Sequence, residues 1–585
     1  MSSEVRDGMR IEWDVPIEME DGNILRADVF RPIEDGEYPT IASMGAYGKG
    51  LPFQEPPYKA LWEQMCERYP DVPRGSTNKY QAWEVADPEK WVPYGYVVLR
   101  IDSRGAGRSE GVLDYFSSQE TSDLFECVEW AAAQAWSNGK VGLSGISYYA
   151  VNQWQVAALK PPHLAAICPW EGASDWYREG THHGGIHTTF VARWFDNQAK
   201  IVQYGLGSRG PVSPVNGLYV CGDEDLDDDE LERNRADAMR EVREHRFDDE
   251  YYRVRTSDLS RVEVPLLSAA NWGGQSLHLR GNLRGFTHSA SRQKWLEVHG
   301  GEHWAIYYTD YARNLQRRFF DWFLKGEGDW DQQPPVLLQI RHPGERFVER
   351  AEHEWPLART EWTRSYLHVG ENLLCPGPPA EEQSASYRGF GEGLTLSTPP
   401  FEKETELTGP VGCRLWVSSS TTDADIFVAL RLFDPDDNEV LFHGANEPKA
   451  PISLGWLRAS HRKLDNEKSE PWAPYHPHQE EEPLVPGQVY PLEIEIWATC
   501  IVIPVGYTLR LTILGRDFDH GLDGSPSPYG FPMRGVGVWL HDDELERPAD
   551  LYDGTVTVYS GSDRQSFLTL PIIPEAPSDR RFVPE

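Results

Sequence analysis

The sequence predicts an α/β domain followed by an all-β domain, on three observations. From about residue 10 to 170, strand-like and helix-like segments alternate, the pattern of a doubly wound, mostly parallel sheet covered by helices. Beyond about residue 332 helical periodicity disappears, and short β-rich segments separated by turn signals read as an antiparallel sandwich. At 585 residues the chain is also too long for one hydrophobic core.

The first strands are expected at Leu25 to Phe30, Thr40 to Met44, Tyr96 to Ile101 and Val141 to Ser144, the last three being short apolar runs bounded by turn residues. Between them SDLFECVEWAAAQAW has apolar residues at helical spacing, with Thr121 and Ser122 as candidate caps and NGK marking its end. From 174 to 255, Trp, His and Gly mix with the acidic stretch CGDEDLDDDELERNRADAMREVREHR, which reads as an inserted helical cap. The strand pattern resumes at VEVPLLSAANW and LEVHGGEHW, and RNLQRRFFDWFLKG follows as an amphipathic helix ending at Gly326. The division is therefore 1–173 and 256–331 for the α/β domain, 174–255 for the cap and 332–585 for the β domain, in which DPDDNE reads as a hairpin turn.

Acidic residues outnumber basic ones 92 to 56, and the resulting field repels phosphate backbones and anionic membranes, so neither nucleic acid nor a membrane surface is expected as a partner. The N-terminal segment lacks a basic region followed by an apolar run, and no stretch approaches the roughly 20 apolar residues of a membrane span. A soluble, cytoplasmic protein is expected, with a homo-oligomer left open. Seven scattered cysteines without C-x-x-C spacing suggest buried reduced thiols rather than a disulfide framework or zinc site.

The stretch GKVGLSGISYYAVNQWQVAAL is an apolar strand running into a tight turn at Gly145-Ile146-Ser147 and then into helix-compatible sequence. A serine on such a strained elbow exposes its hydroxyl, while the next backbone N–H, that of Tyr148, points where a tetrahedral oxyanion would form. Tyr149 replaces the final glycine of G-x-S-x-G, so context rather than the bare motif carries the reading. Ser147 is the candidate nucleophile of a serine hydrolase of the α/β-hydrolase type, acting on an ester or amide and requiring no cofactor.

Nearly the whole chain resembles the family of cocaine esterase, the X-prolyl dipeptidyl aminopeptidases and the α-amino acid ester hydrolases. The matching segments are MGAYGKG, RIDSRGAGRSEG, GISYYAVNQWQ, ANWGG, HGGEHW, RLFDPDD and IVIPVGYTLRLTI. The resemblance implies an α/β-hydrolase domain with a helical cap and a C-terminal jelly roll. It also implies that Tyr47 joins the Tyr148 N–H in the oxyanion hole and that His303 is the catalytic base. From domain order, Trp176, Tyr177 and Trp272 are expected to shape the acyl pocket.

The chain departs from this family where W-x-D carries the triad aspartate, because it has Trp272-Gly273-Gly274. Glu171, after the apolar strand LAAICPW, is the candidate replacement, at the next strand end after the nucleophile and in the order serine, acid, histidine. Asp175 and Glu302 compete with it, and Asn271 could orient the ring without charge. Two rival functions stand beside the esterase reading. One is an X-prolyl aminopeptidase or α-amino acid ester hydrolase that recognises an ammonium group; the other is a weakened relative binding carbohydrate or a protein partner.

Three further motifs are set aside. Thr181 to His187 offers imidazoles at spacings that match no standard metal site, so no metal is expected. Asp223, Asp225 and Asp227 imitate a calcium loop without its glycine and closing glutamate. Gly105 to Glu110 lacks the last glycine of a dinucleotide fingerprint.

Overall fold

The computed structural model describes residues 2–527, 529–574, 581 and 582, so most of the last eleven residues of the expected β domain lie outside the described residues. Two sheets, each of twelve strands among the described residues, divide the chain. In the first, Met9–Glu18, Ile24–Arg31 and Val97–Asp102 pair antiparallel at one edge. The order then runs in parallel through Tyr38–Gly45, Ser137–Ile146, Leu164–Trp170, Leu266–Asn271 and Lys294–His299. These central strands are buried on both faces, which is why their sequences are continuous apolar runs rather than alternating ones.

The strands and the two long helices read for the first domain are present, with shifts at their ends. The helix Ser118–Ala132 begins before Thr121 and Ser122 because Ser117 is its cap, accepting from the Glu120 N–H at 3.2 Å. Thr121 instead donates back to the Ser117 carbonyl within the first turn. NGK lies not at a helix end but in the strand Ser137–Ile146. The helix Asp310–Phe320 continues through a wider turn and stops at Gly326, which takes the left-handed conformation at φ 75°.

One boundary and one description need correction. Val336–His342 pairs parallel with Lys294–His299, and Arg346–Glu352 pairs antiparallel with Val336–His342, so 336–352 extends the first sheet instead of opening the second. Val336–His342 is buried on both faces, and such a short strand looks the same in sequence whichever sheet it joins. The 174–255 segment is less helical than expected: its α-helices Phe190–Trp194, Asp228–Arg233, Ala238–Glu244 and Glu250–Arg253 are brief and set in long loops.

The second sheet is antiparallel apart from one short pairing, and is built on the long pair Thr405–Ser419 with Tyr490–Ile503 around a core of Leu407, Leu415, Ile426, Ile494 and Leu511. A second apolar layer joins the two halves: Trp272, Leu296 and Val298 from the first pack with Phe427, Trp456 and Trp497 from the second. The second half thereby covers the end of the first sheet where the functional loops gather. Among the described residues, no helix is long and apolar enough to cross a membrane.

Candidate active site

Ser147 sits between the strand Ser137–Ile146 and the helix Tyr148–Leu159 with φ 55° and ψ −112°, a conformation sparsely populated by non-glycine residues. The surroundings hold it there. Its N–H donates to the carbonyls of Trp170 and Glu171, both at 3.1 Å, and its own carbonyl accepts from Ala150 and Val151 at 2.9 Å. Gly145 is required because a Cβ there would lie 2.4 Å from that of Tyr149. Tyr149 can occupy the usual glycine position because Gly45 leaves room for its ring, which would come within 2.6 Å of a Cβ at residue 45.

His303 and Ser147 line the same cavity. The His303 Nδ1 lies 2.8 Å from Glu171 Oε2, and both side chains are buried. Burial alone would raise the Glu171 pKa, but His303 and His299 overcome it and hold the carboxyl at about 2. Burial opposes charge on His303 as well, yet Glu171 and then Glu84 raise its pKa to about 9. The other acids considered point elsewhere. Asp175 binds Arg178 at 3.0 Å and caps the following turn, and Glu302 pairs with Arg68. Asn271 reaches Glu171 Oε1 at 3.4 Å and donates to the Gly301 carbonyl at 2.8 Å rather than facing His303. At Gly274 a Cβ would lie 3.0 Å from the Asn271 carbonyl oxygen, so the backbone at the usual aspartate position is closed to a side chain without a shift.

Tyr47 follows the strand Tyr38–Gly45 and lines the cavity with Tyr148. Its hydroxyl accepts from Trp194 Nε1 at 2.9 Å, and no acceptor for its proton occurs among the described residues. Burial, followed by the nearby Glu84, raises its pKa well above the ordinary tyrosine value, so the phenol stays a neutral donor. The RIDSRGAGRSEG segment supports this loop from behind. Asp102 accepts from the Lys49 N–H at 2.6 Å and the Arg108 N–H at 2.9 Å, and Lys49 Nζ lies 3.2 Å from it. Gly107, at φ 53°, makes room, since a Cβ there would fall 2.2 Å from the Asp102 carboxylate.

Of the three expected pocket aromatics, Trp176 lines the cavity. Tyr177 and Trp272 do not. Tyr177 stacks on His182 at 4.5 Å and donates to the Arg246 carbonyl, while Trp272 belongs to the layer between the halves and donates to the Gln339 carbonyl. The wall contains residues that the sequence did not single out: Phe116 and Trp194 from the first half, and Tyr529 and Trp539 from the second. Glu84 is also there, 2 % exposed and at φ 62°. Its Oε1 accepts from Trp304 Nε1 at 3.0 Å and lies 3.6 Å from His303 Nε2, while its buried Oε2 has no partner. No motif marks this residue.

The set-aside motifs have structural employment. His183 lies between His541 Nε2, at 3.0 Å, and the Ser276 carbonyl. Asp223 pairs with Arg108, Asp225 accepts from the Ser208 N–H, and Asp227 caps the helix Asp228–Arg233. Among the described residues no group of three or more His, Cys, Asp or Glu is placed to hold a metal ion.

A mixed-sheet α/β core carrying a serine on a strained elbow, with an imidazole and a carboxylate beside it, defines a serine hydrolase. Comparison with known proteins fixes the family. Residues 21–305 match the X-Pro dipeptidyl-peptidase (S15 family) model, and residues 328–568 match the X-Pro dipeptidyl-peptidase C-terminal non-catalytic domain. A solved CocE/NonD-family hydrolase from Staphylococcus aureus is 33% identical over 97% of this chain and 94% of its own, with a TM-score of 0.83. Cocaine esterase from Rhodococcus sp. is 25% identical, covering 96% of this chain and 98% of that protein. The Xaa-Pro dipeptidyl-peptidase of Streptococcus gordonii is 20% identical over 85% and 72%, respectively. The chain belongs to this family of cocaine esterase-like and X-Pro dipeptidyl-peptidase-like serine hydrolases.

Proposed function

We propose that the protein cleaves an acyl ester or amide through an acyl-enzyme on Ser147, with His303 as base and Glu171 as the acid. The observation that carries this reading is the buried 2.8 Å contact between His303 Nδ1 and Glu171 in a chain whose usual aspartate position is glycine. Ser147 Oγ attacks the carbonyl carbon as its proton passes to His303 Nε2. Glu171 holds Nδ1 as the N–H donor, so that Nε2 is left basic. The oxyanion receives the Tyr148 N–H and the Tyr47 O–H, whose proton the Trp194 contact leaves free. Collapse expels the alcohol or amine with the proton from His303, and water then attacks the acyl-enzyme by the same route. The proposed frame is an α/β-hydrolase core with a cap at 174–255 and a jelly-roll second half beginning after residue 352. Seven unpaired cysteines support a cytoplasmic location.

Stopped-flow release from an aryl ester tests the route: a burst equal to the enzyme concentration is expected, and a substrate whose deacylation is fast should be distinguished by trapping with an added alcohol. Neither burst nor trapping would overturn the acyl-enzyme. Tyr47→Phe should lower kcat by about 10²- to 10³-fold with little change in KM, the cost of one oxyanion donor; unchanged kcat would remove Tyr47 from the hole.

A second reading, hydrolysis of substrates with a free amino group, is favoured by Glu84, a buried carboxylate whose Oε2 has no hydrogen-bond partner, in a cavity wall rich in aromatic rings that suit a cation. Comparing free-amino and N-acetylated esters decides it: equal kcat/KM excludes ammonium recognition. Glu84 also has an effect independent of substrate. Because its charge favours the imidazolium form of His303, Glu84→Gln should move the acid limb of kcat/KM to lower pH. A pH–rate series checks this, and an unmoved limb would show that the carboxylate does not act on the base.

A further inference from the structure

Beyond the triad, Glu171 has a second imidazole on its other oxygen. His299, at the end of the strand Lys294–His299, places Nε2 3.1 Å from Glu171 Oε1 and Nδ1 2.7 Å from Glu297 Oε2. Both carboxylates and the ring are enclosed, with side-chain exposures of 0 to 1%. An ionised carboxylate only accepts, and a neutral imidazole has one N–H. With both carboxyls ionised, a neutral His299 would therefore turn a lone pair on one of them, an uncompensated repulsion between buried groups.

We infer that His299 is an imidazolium clamped between Glu171 and Glu297, and that it is a positioning residue which fixes the catalytic carboxylate and sets the pH range in which His303 works. This rests on the reading of Glu171 as the acid. The clamp replaces what a shorter aspartate on the usual loop would supply: a longer side chain from a different strand end is held at both oxygens, His303 on one and His299 on the other. Glu297 is fixed in turn by Tyr311, whose hydroxyl donates to Oε1 at 3.1 Å, and the Trp170 ring stacks on His299 at 5.1 Å, where it favours a cation. Other polar groups near the relay include Asn271, beside Glu171; Glu84 and His278, which face His303; Cys168, whose thiol pKa is raised by burial and then by Glu297; and Glu349, which acts on Tyr311. Burial opposes protonation of His299, but Glu297 and Glu171 outweigh it and raise its pKa to about 9.

The charge balance gives the clamp a functional signature. Glu297, His299 and Glu171 together carry one negative charge beside His303; removing the His299 charge leaves two and strengthens proton binding by His303. His299→Gln should thus move the acid limb of kcat/KM up by about one pH unit, a loss of about tenfold on the acidic side, while the alkaline plateau changes much less. A residue needed only for packing would lower the whole profile without moving it. Should this variant not fold, nitrogen NMR of ¹⁵N-histidine-labelled wild type, with the His299 signals assigned from their shift in Glu297→Gln, reads the protonation state directly. Two protonated ring nitrogens at pH 7 are expected; a neutral ring, or an unshifted profile in folded His299→Gln, would overturn the inference. If Glu171→Gln is inactive while the His299→Gln profile stays unmoved, only the positioning role falls. A fully active Glu171→Gln would remove the premise itself.

Discussion

Ser147→Ala is expected to lower kcat/KM for an aryl ester by about 10⁶-fold, to the residual rate that oxyanion donors and binding alone provide. The effect should be chemical rather than structural. The backbone at residue 147, with its φ of 55°, is held by hydrogen bonds from main-chain groups, none of which uses the hydroxyl. Alanine meets no greater penalty than serine at such an angle, so the thermal midpoint should stay within a few degrees of wild type. Steady-state kinetics beside a thermal melt check both halves of the statement; retained turnover in a folded variant would place the nucleophile elsewhere.

Glu171→Gln is expected to lower kcat by about 10³- to 10⁴-fold with KM largely unchanged. The size follows from tautomer control. An amide can turn its NH₂ toward His303 Nδ1, which then becomes the acceptor and leaves the proton on Nε2, the nitrogen that must take the serine proton. The carboxylate forbids that arrangement because it only accepts. The same substitution should alter acid stability. A carboxyl depressed to about 2 contributes stability that is fully present above its ordinary pKa of 4.5 and is lost as pH falls toward 2. Near-wild-type kcat in Glu171→Gln would instead assign the acid to another group.

The parts of the proposed site that were legible in sequence are those fixed by local chain geometry. Gly145 and Ser147 mark an elbow because strand, turn and helix follow within a few residues. Glu171 could be placed because it ends the next apolar run, and Tyr47 because it stands just past the end of one. His299 lay within a noted segment, HGGEHW, but its role depends on Glu297 two residues before it and on Glu171 from another strand, and no spacing rule joins those three. Glu84 was hidden in the long connection between Tyr38–Gly45 and Val97–Asp102. Its clue, a glutamate at positive φ, exists only in three dimensions.

The misplaced aromatics have a common cause. Trp272 and Tyr177 are large side chains near functional loops, and periodicity cannot say whether such a ring faces a cavity or an apolar layer. Docking of the two halves decides it, directing Trp272 toward Trp355 while carrying Tyr529 and Trp539 to the cavity wall. The same long-range packing assigns 336–352 to the first sheet. The glycine at 274 was legible as a missing acid, which was the best support for the binding-protein alternative; the structure sets a carboxylate from another strand end on His303 Nδ1, and the proposed triad rests on that contact.

The most direct test of the central claim is intact-mass analysis after treatment with a fluorophosphonate, with wild type and Ser147→Ala side by side. The account predicts one adduct per wild-type chain, mapped to the Ser147 peptide, and none on the variant under the same conditions. A folded wild-type protein that takes up no label, or an adduct that persists in Ser147→Ala, would contradict it.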